Sequence, residues 1–204
     1  MKALILVDLQ NDFCPGGALA VPRGDEVVSI ANSLTTRFSL VVATQDWHPG
    51  NHGSFAANHP GASPFQMSDL AGLPQVLWPV HCVQNTPGAA FHPALVSRAV
   101  AKVFPKGTDA AIDSYSGFFD NGRRKSTGLG EFLRDQQISA VAILGLATDY
   151  CVRATALDAL GMGLDVTLVT DGCRAVDIKP GDGERALVVL HEAGARLLTA
   201  REID

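Results

Sequence analysis

Unbroken apolar runs alternate along this chain with stretches whose apolar residues recur at helical spacing. The segments 3–8 (ALILVD), 40–45 (LVVATQ), 100–104 (VAKVF), 140–146 (AVAILGL) and 165–170 (DVTLVT) are short, rich in Val, Ile and Leu, and largely continuous. Strands buried on both faces of a parallel sheet read this way. Between them, residues 25–38 carry Val27, Val28, Ile30, Ala31 and Leu34 on a helical stripe, and 129–137 and 184–194 read as further helices. Thr148 stands where it can cap a helix over 149–160 that Gly161 ends, and a short last strand is expected at 196–199. This order predicts an α/β fold with a mainly parallel central sheet and helices on both faces. From Asp46 to about Pro93 the chain is rich in Pro, Gly, Asn and His and has little periodicity. That is too long for an idle connection, so a functional excursion is expected there. No repeat, low-complexity tract or linker divides the 204 residues, and one domain over 1–204 is expected.

Reactive residues stand where the apolar runs stop. Asp8 ends the first, Asp46, His48 and His52 follow the second, Lys106 follows the third, and Cys151 lies just beyond the fourth. Ligand sites of open α/β sheets lie beyond the carboxyl ends of the strands, so these residues are expected to meet at one rim. Cys151 falls in the first turn of its helix, where the helix dipole favours thiolate. The preceding GLATD turn leaves backbone amides able to act as an oxyanion hole. A thiol nucleophile needs a base, and Asp8 in a partly desolvated pocket can take its proton while Lys106 balances the charge. Cys14, Cys82 and Cys173 are expected to be structural.

The Asp46-x-His48-x3-His52 cluster, with His81 further on, has ligand types that suit one divalent transition metal: Zn, Fe or Mn. Its spacing fits no structural zinc finger. His59, His92 and His191 are expected only to hydrogen-bond. Two other readings fit the bare residues. One is a metallohydrolase in which metal-bound hydroxide attacks and Cys151 is incidental; the other is a non-catalytic binding module.

Composition narrows the setting. With 47% apolar and 18% charged residues the chain is globular, and a formal charge of −5 gives no footprint for nucleic acid or an anionic membrane. The apolar run 3–7 is too short for a secretory signal and no stretch approaches transmembrane length, so a cytoplasmic protein with reduced thiols is expected. Oligomeric state is left open.

The motifs VDLQNDFCPGG, TQDWHPGNHGSF, WPVHCVQNTPGAAFHP, FPKG, DSYSGFFDN and GLATDYCVRATALDA together resemble the nicotinamidases (also called pyrazinamidases) of the isochorismatase-like cysteine hydrolase superfamily, along nearly the whole chain. The resemblance implies a Cys151–Asp8–Lys106 triad and a metal held by Asp46, His48, His52 and His81. It implies a cis peptide before Ala147, with the Ala147 and Cys151 amides as oxyanion hole. Phe13, Trp78 and Tyr115 match positions that line the family's pocket. The activity implied is hydrolysis of nicotinamide, and of pyrazinamide, to the acid and ammonia through a Cys151 thioester, in NAD salvage.

Overall fold

The computed structural model describes residues 1–203. Six strands form one parallel sheet: β1 (Lys2–Val7), β2 (Leu40–Asp46), β5 (Lys102–Lys106), β6 (Ala140–Leu146), β7 (Asp165–Arg174) and β8 (Arg196–Leu198), in the order β5-β2-β1-β6-β7-β8. Central β1 is enclosed on both faces, Ala3 through Val7 being wholly buried, which is why its sequence shows no alternation. Helices α1 (Glu26–Leu34), α2 (Leu129–Asp135), α3 (Arg153–Gly161) and α4 (Asp182–Glu192) connect the strands. β1 to β2 steps one way along the sheet, whereas β5 to β6, β6 to β7 and β7 to β8 step the other way. Right-handed crossovers therefore put α1 on one face and α2, α3 and α4 on the other. Helix α1 turns Val27, Val28, Ala31 and Leu34 inward, as its spacing predicts.

Four details differ from the sequence reading. The third sheet strand pairs over Lys102–Lys106 rather than 100–104, because Pro105 does not stop the parallel ladder at this edge of the sheet. The strand expected at 165–170 continues through Asp171–Gly172 to Arg174, resuming its pairing opposite Gly145 and Leu146 after a register shift. Within the excursion lies an antiparallel hairpin, β3 (Met67–Leu70) and β4 (Leu73–Val76), whose turn residues Ala71 and Gly72 both have positive φ. Two positive φ values are the signature of a type I′ turn, but Ala-Gly does not advertise it as Asn-Gly would. Finally, Thr148–Val152 forms a π-helical turn before α3, and Thr148 makes no side-chain cap; the Ala147 carbonyl accepts from the Tyr150 and Val152 amides instead.

Two registers place the chemistry. Asp46 lies directly opposite Lys106 across β2 and β5, and Val7 lies opposite Gly145 across β1 and β6. Gly145 has φ +136°, and a Cβ there would sit 2.1 Å from the Val7 carbonyl oxygen. Only glycine lets the strand carrying the Cys151 turn approach β1 this closely.

Candidate active site

The ends of β1, β2, β5 and β6 converge. Asp8 leaves β1 in the left-handed region (φ 49°), a conformation that Asp tolerates better than most residues. The side chain of Lys106 is wholly buried. Its ammonium lies 2.9 Å from Asp8 Oδ2, donates to Asp46 Oδ1 and, at 3.1 Å, to the Ser114 carbonyl, and reaches Cys151 Sγ at 3.4 Å. Thr44 Oγ1 donates to Asp8 Oδ1 at 2.6 Å. Side-chain atoms of Asp8, Asp46 and Cys151 lie within 4.8 Å of one another. The structure thus brings Asp8, Lys106 and Cys151 together.

Burial sets the protonation states. It pushes the Cys151 thiol well above its ordinary range, and the downward pull of Lys106 does not cancel this. The helix-dipole pull toward thiolate expected there is opposed by burial, and Cys151 sits on a π turn beside a base that can take its proton. Burial also raises the Asp8 carboxyl, with Lys106 opposing and Asp46 reinforcing. Burial alone would depress Lys106, yet Asp46, Asp8 and Cys151 carry it well above the usual lysine range, so it stays charged. Burial would raise Asp46, but Lys106 and His48 outweigh it and hold that carboxylate ionised.

Beside this cluster stand the imidazoles. His48 Nδ1 lies 2.9 Å from the Gly107 carbonyl and His81 Nδ1 lies 2.8 Å from the Pro79 carbonyl. A carbonyl only accepts, so both rings carry a proton on Nδ1 and turn Nε2 toward Asp46. Those Nε2 atoms lie 3.5 Å and 3.8 Å from Asp46 Oδ2. Two imidazole nitrogens and a carboxylate oxygen form a donor set that fits a divalent transition metal.

His52 is arranged differently. Its Nδ1 lies 2.7 Å from Ser54 Oγ and 3.2 Å from the Ser54 amide nitrogen, and its buried Nε2 has no hydrogen-bond partner, as a nitrogen kept for a ligand would. His52 groups with His48 and Asp113 rather than with Asp46 and His81. His48 belongs to both groups, and its ring lies 4.4 Å from that of His52, so the four expected ligands are contiguous: Asp46, His48 and His81 converge directly and His52 adjoins them through His48. Burial and the neighbouring His48 lower the His52 pKa to about 4, so it stays neutral.

Backbone choices make these contacts possible. Gly107, with φ +63°, turns its carbonyl onto His48, and a Cβ there would meet the His48 ring at 2.3 Å. Asp149, in the π turn, accepts from the Val176 and Asp177 amides at 3.0 and 2.9 Å and pins that loop over the site.

A small cavity opens between Cys151 and the imidazoles. Phe13, Trp78 and Tyr115 line it as expected, and Ala147 borders it beside Cys151. Trp78 Nε1 donates to the Tyr115 hydroxyl at 3.2 Å, fixing two of the walls. The Leu146–Ala147 peptide is cis. Sequence reasoning missed four lining residues: Leu19, Asp113, Tyr150 and Val176. Tyr150 was reachable, being the neighbour of Cys151. Asp113 lies in DSYSGFFDN, where only Tyr115 is expected to face the pocket.

Residues 2–202 match the isochorismatase domain. The nicotinamidase of Escherichia coli (strain K12) is 55% identical over 202 residues, covering 97% of this chain and 94% of the relative. A nicotinamidase/pyrazinamidase of Mycobacterium tuberculosis is 42% identical over 176 residues, covering 84% and 85%. Among solved structures, the Acinetobacter baumanii nicotinamidase pyrazinamidease superposes with a TM-score of 0.95 at 43% identity, covering 98% of this chain and 97% of that one. The pyrazinamidase of Pyrococcus horikoshii, in complex with zinc, gives a TM-score of 0.79 at 42% identity, covering 97% and 98%. With the domain matched almost end to end and the fold shared at this closeness, the chain belongs to the isochorismatase family.

Proposed function

We propose that this enzyme hydrolyses nicotinamide, and pyrazinamide, to the corresponding acid and ammonia through a thioester on Cys151. The observation that carries the reading is the buried contact of Lys106 with Asp8 and Cys151 beside a carboxylate–imidazole group on the same cavity. Asp8 accepts the Cys151 proton as Sγ attacks the amide carbon, and Lys106 keeps Asp8 ionised until then. The Ala147 and Cys151 amides serve as the oxyanion hole. Protonated Asp8 returns its proton to the departing nitrogen, releasing ammonia. Water deprotonated by Asp8 then cleaves the thioester to the carboxylate and the free thiol.

Asp46, His48, His52 and His81 would hold one divalent ion (Zn, Fe or Mn); bound there, the ion would supply a Lewis-acid position for a pyridine or pyrazine nitrogen. Residues from 8 to 176 contribute to the site, so 1–204 is read as one working hydrolase domain. Its place is proposed to be cytoplasmic NAD salvage, with a small-molecule substrate, no nucleic-acid or membrane partner, and oligomerisation open. Among the described residues no helix is long and apolar enough to cross a membrane.

The test is ammonia release from an amide panel with the metal-loaded enzyme. Nicotinamide and pyrazinamide are expected to be good substrates. Benzamide shares their shape but has no ring nitrogen, and its kcat/KM is expected to be roughly a thousandfold lower, as when a site built around a polar contact loses it. Benzamide within tenfold of nicotinamide would remove the ring-nitrogen contact from the reading, and silence across the panel would remove amide hydrolysis. Metal analysis is expected to find one ion per chain. His48→Ala should weaken its binding by roughly a hundredfold or more, since one of the four donors is gone. Unchanged metal content in that variant would overturn the ligand assignment.

A further inference from the structure

We infer that Gln10 is a positioning residue for the Asp46 carboxylate, which it holds through the Asp46 backbone. The side chain of Gln10 is wholly buried. Its Oε1 accepts from the Asp46 amide at 2.8 Å, and its Nε2 donates to the Asp46 carbonyl at 2.8 Å and to the Ala89 carbonyl at 2.9 Å. One side-chain amide thus pairs with both backbone groups of a single residue.

The topology explains why it is needed there. The pairing of β1 with β2 ends at Leu6 opposite Ala43, and β1 itself stops at Val7. β2 runs on to Asp46, which is paired with Lys106 on its β5 side and has no strand on the other. A buried amide and carbonyl left unmatched there would be costly. Gln10 supplies the missing rung of the ladder from a side chain.

Asp46 is where this matters most for chemistry. Its Oδ1 accepts from Lys106 and its Oδ2 faces His48 and His81, so a small rotation of its backbone misdirects both oxygens together. Gln45 is the natural control. Its Nε2 donates to the same Ala89 carbonyl at 2.9 Å, and none of its side-chain hydrogen bonds goes to Asp46.

This inference rests on the reading that Asp46, His48 and His81 hold a metal. The experiment measures the Kd of Zn²⁺ for the metal-free full chain by competition with a chelating dye, alongside Tm with and without Zn²⁺. Gln10→Ala and Gln10→Glu are compared with wild type and Gln45→Ala. Gln10→Glu keeps the volume and the acceptor for the Asp46 amide but sets oxygen against two carbonyls. Either Gln10 variant is expected to raise Kd roughly ten- to a hundredfold and to shrink the Tm gain on adding Zn²⁺. Gln45→Ala should stay within about threefold of wild type. A purely structural role would lower Tm equally with and without Zn²⁺ and leave Kd alone, which would overturn the inference. So would a Kd rise in Gln45→Ala equal to that of the Gln10 variants, or failure of both Gln10 variants to fold. If wild type itself binds no Zn²⁺, the metal reading fails first and the inference with it; normal wild-type binding with unchanged Gln10 variants sinks the inference alone.

Discussion

Cys151→Ala is expected to lower kcat for nicotinamide by at least ten-thousandfold while fold and metal content stay as they are. Removing Sγ takes away the buried thiol that Lys106 touches, and with it the proposed covalent intermediate. Knocking out the nucleophile of a comparable acyl-transfer triad costs about a millionfold in kcat, and what survives comes from binding and the oxyanion donors. The change is small in volume. Cys151 is also not among the residues whose Nε2 and carboxylate atoms gather around Asp46 Oδ2, so one ion per chain should remain. Ammonia release, circular dichroism and metal analysis on one preparation check the three parts together. Retention of even a tenth of wild-type activity would dismiss the thioester route and restore the alternative in which a metal-bound hydroxide attacks. A covalent adduct of the expected acyl mass, trapped in wild type and missing in the variant, would argue the same point from the other side.

Lys106→Met should be nearly as damaging and, unlike the cysteine change, should also weaken the fold. Methionine fills most of the space, but the ammonium shared by Asp8 and Asp46 disappears, and both carboxyl groups are buried. Leaving a buried partner uncompensated costs about 3–5 kcal/mol, which should appear as a clear drop in Tm. Activity should fall by roughly a thousandfold or more, for a reason that can be read in the pH profile. Lys106 opposes the burial that raises the Asp8 carboxyl, so without it the carboxyl titrates higher still. The base form is the deprotonated one. Residual activity in Lys106→Met should therefore rise at higher pH than in wild type, its acidic limb moved toward alkali. An unshifted acidic limb would separate Lys106 from Asp8 and assign it to folding alone.

The catalytic half of the site was legible because each of its residues ends an apolar run. Asp46 and Lys106 end parallel strands and Asp8 directly follows one, and parallel strands deliver their last residues to one rim. Cys151 was legible for its place just after β6, although its protonation was not, because burial is a tertiary property. His48, His52 and His81 were legible by type, though not how each ring is held. The His52 ring is held through Nδ1 by Ser54 two residues on, a contact that no spacing rule contains. The missed wall residues come from segments without periodicity, Asp113 from an irregular loop and Val176 from a loop pinned by Asp149. The hairpin Met67–Val76 escaped because its strands are short, half-exposed and joined by Ala71-Gly72. β7 was cut short because Asp171-Gly172 reads as a turn while the backbone passes through it as an irregularity in a strand.

The strand order also dictates when the molecule becomes an enzyme during its own synthesis. Asp8, Asp46, His48, His52 and His81 all belong to the first half of the chain, and the pairing of β1 with β2 is available as soon as that half exists. The nucleophile comes much later: Ala3 must find Val141 across the centre of the sheet before Cys151 can reach Lys106. Parallel pairing over such a separation is among the slower steps available to a folding chain. A nascent or truncated chain that ends before β6 would thus carry the carboxylate and imidazoles with no means of hydrolysis. Recovery of activity on refolding would time the closure of the middle of the sheet, and metal uptake would time the earlier assembly of its flank.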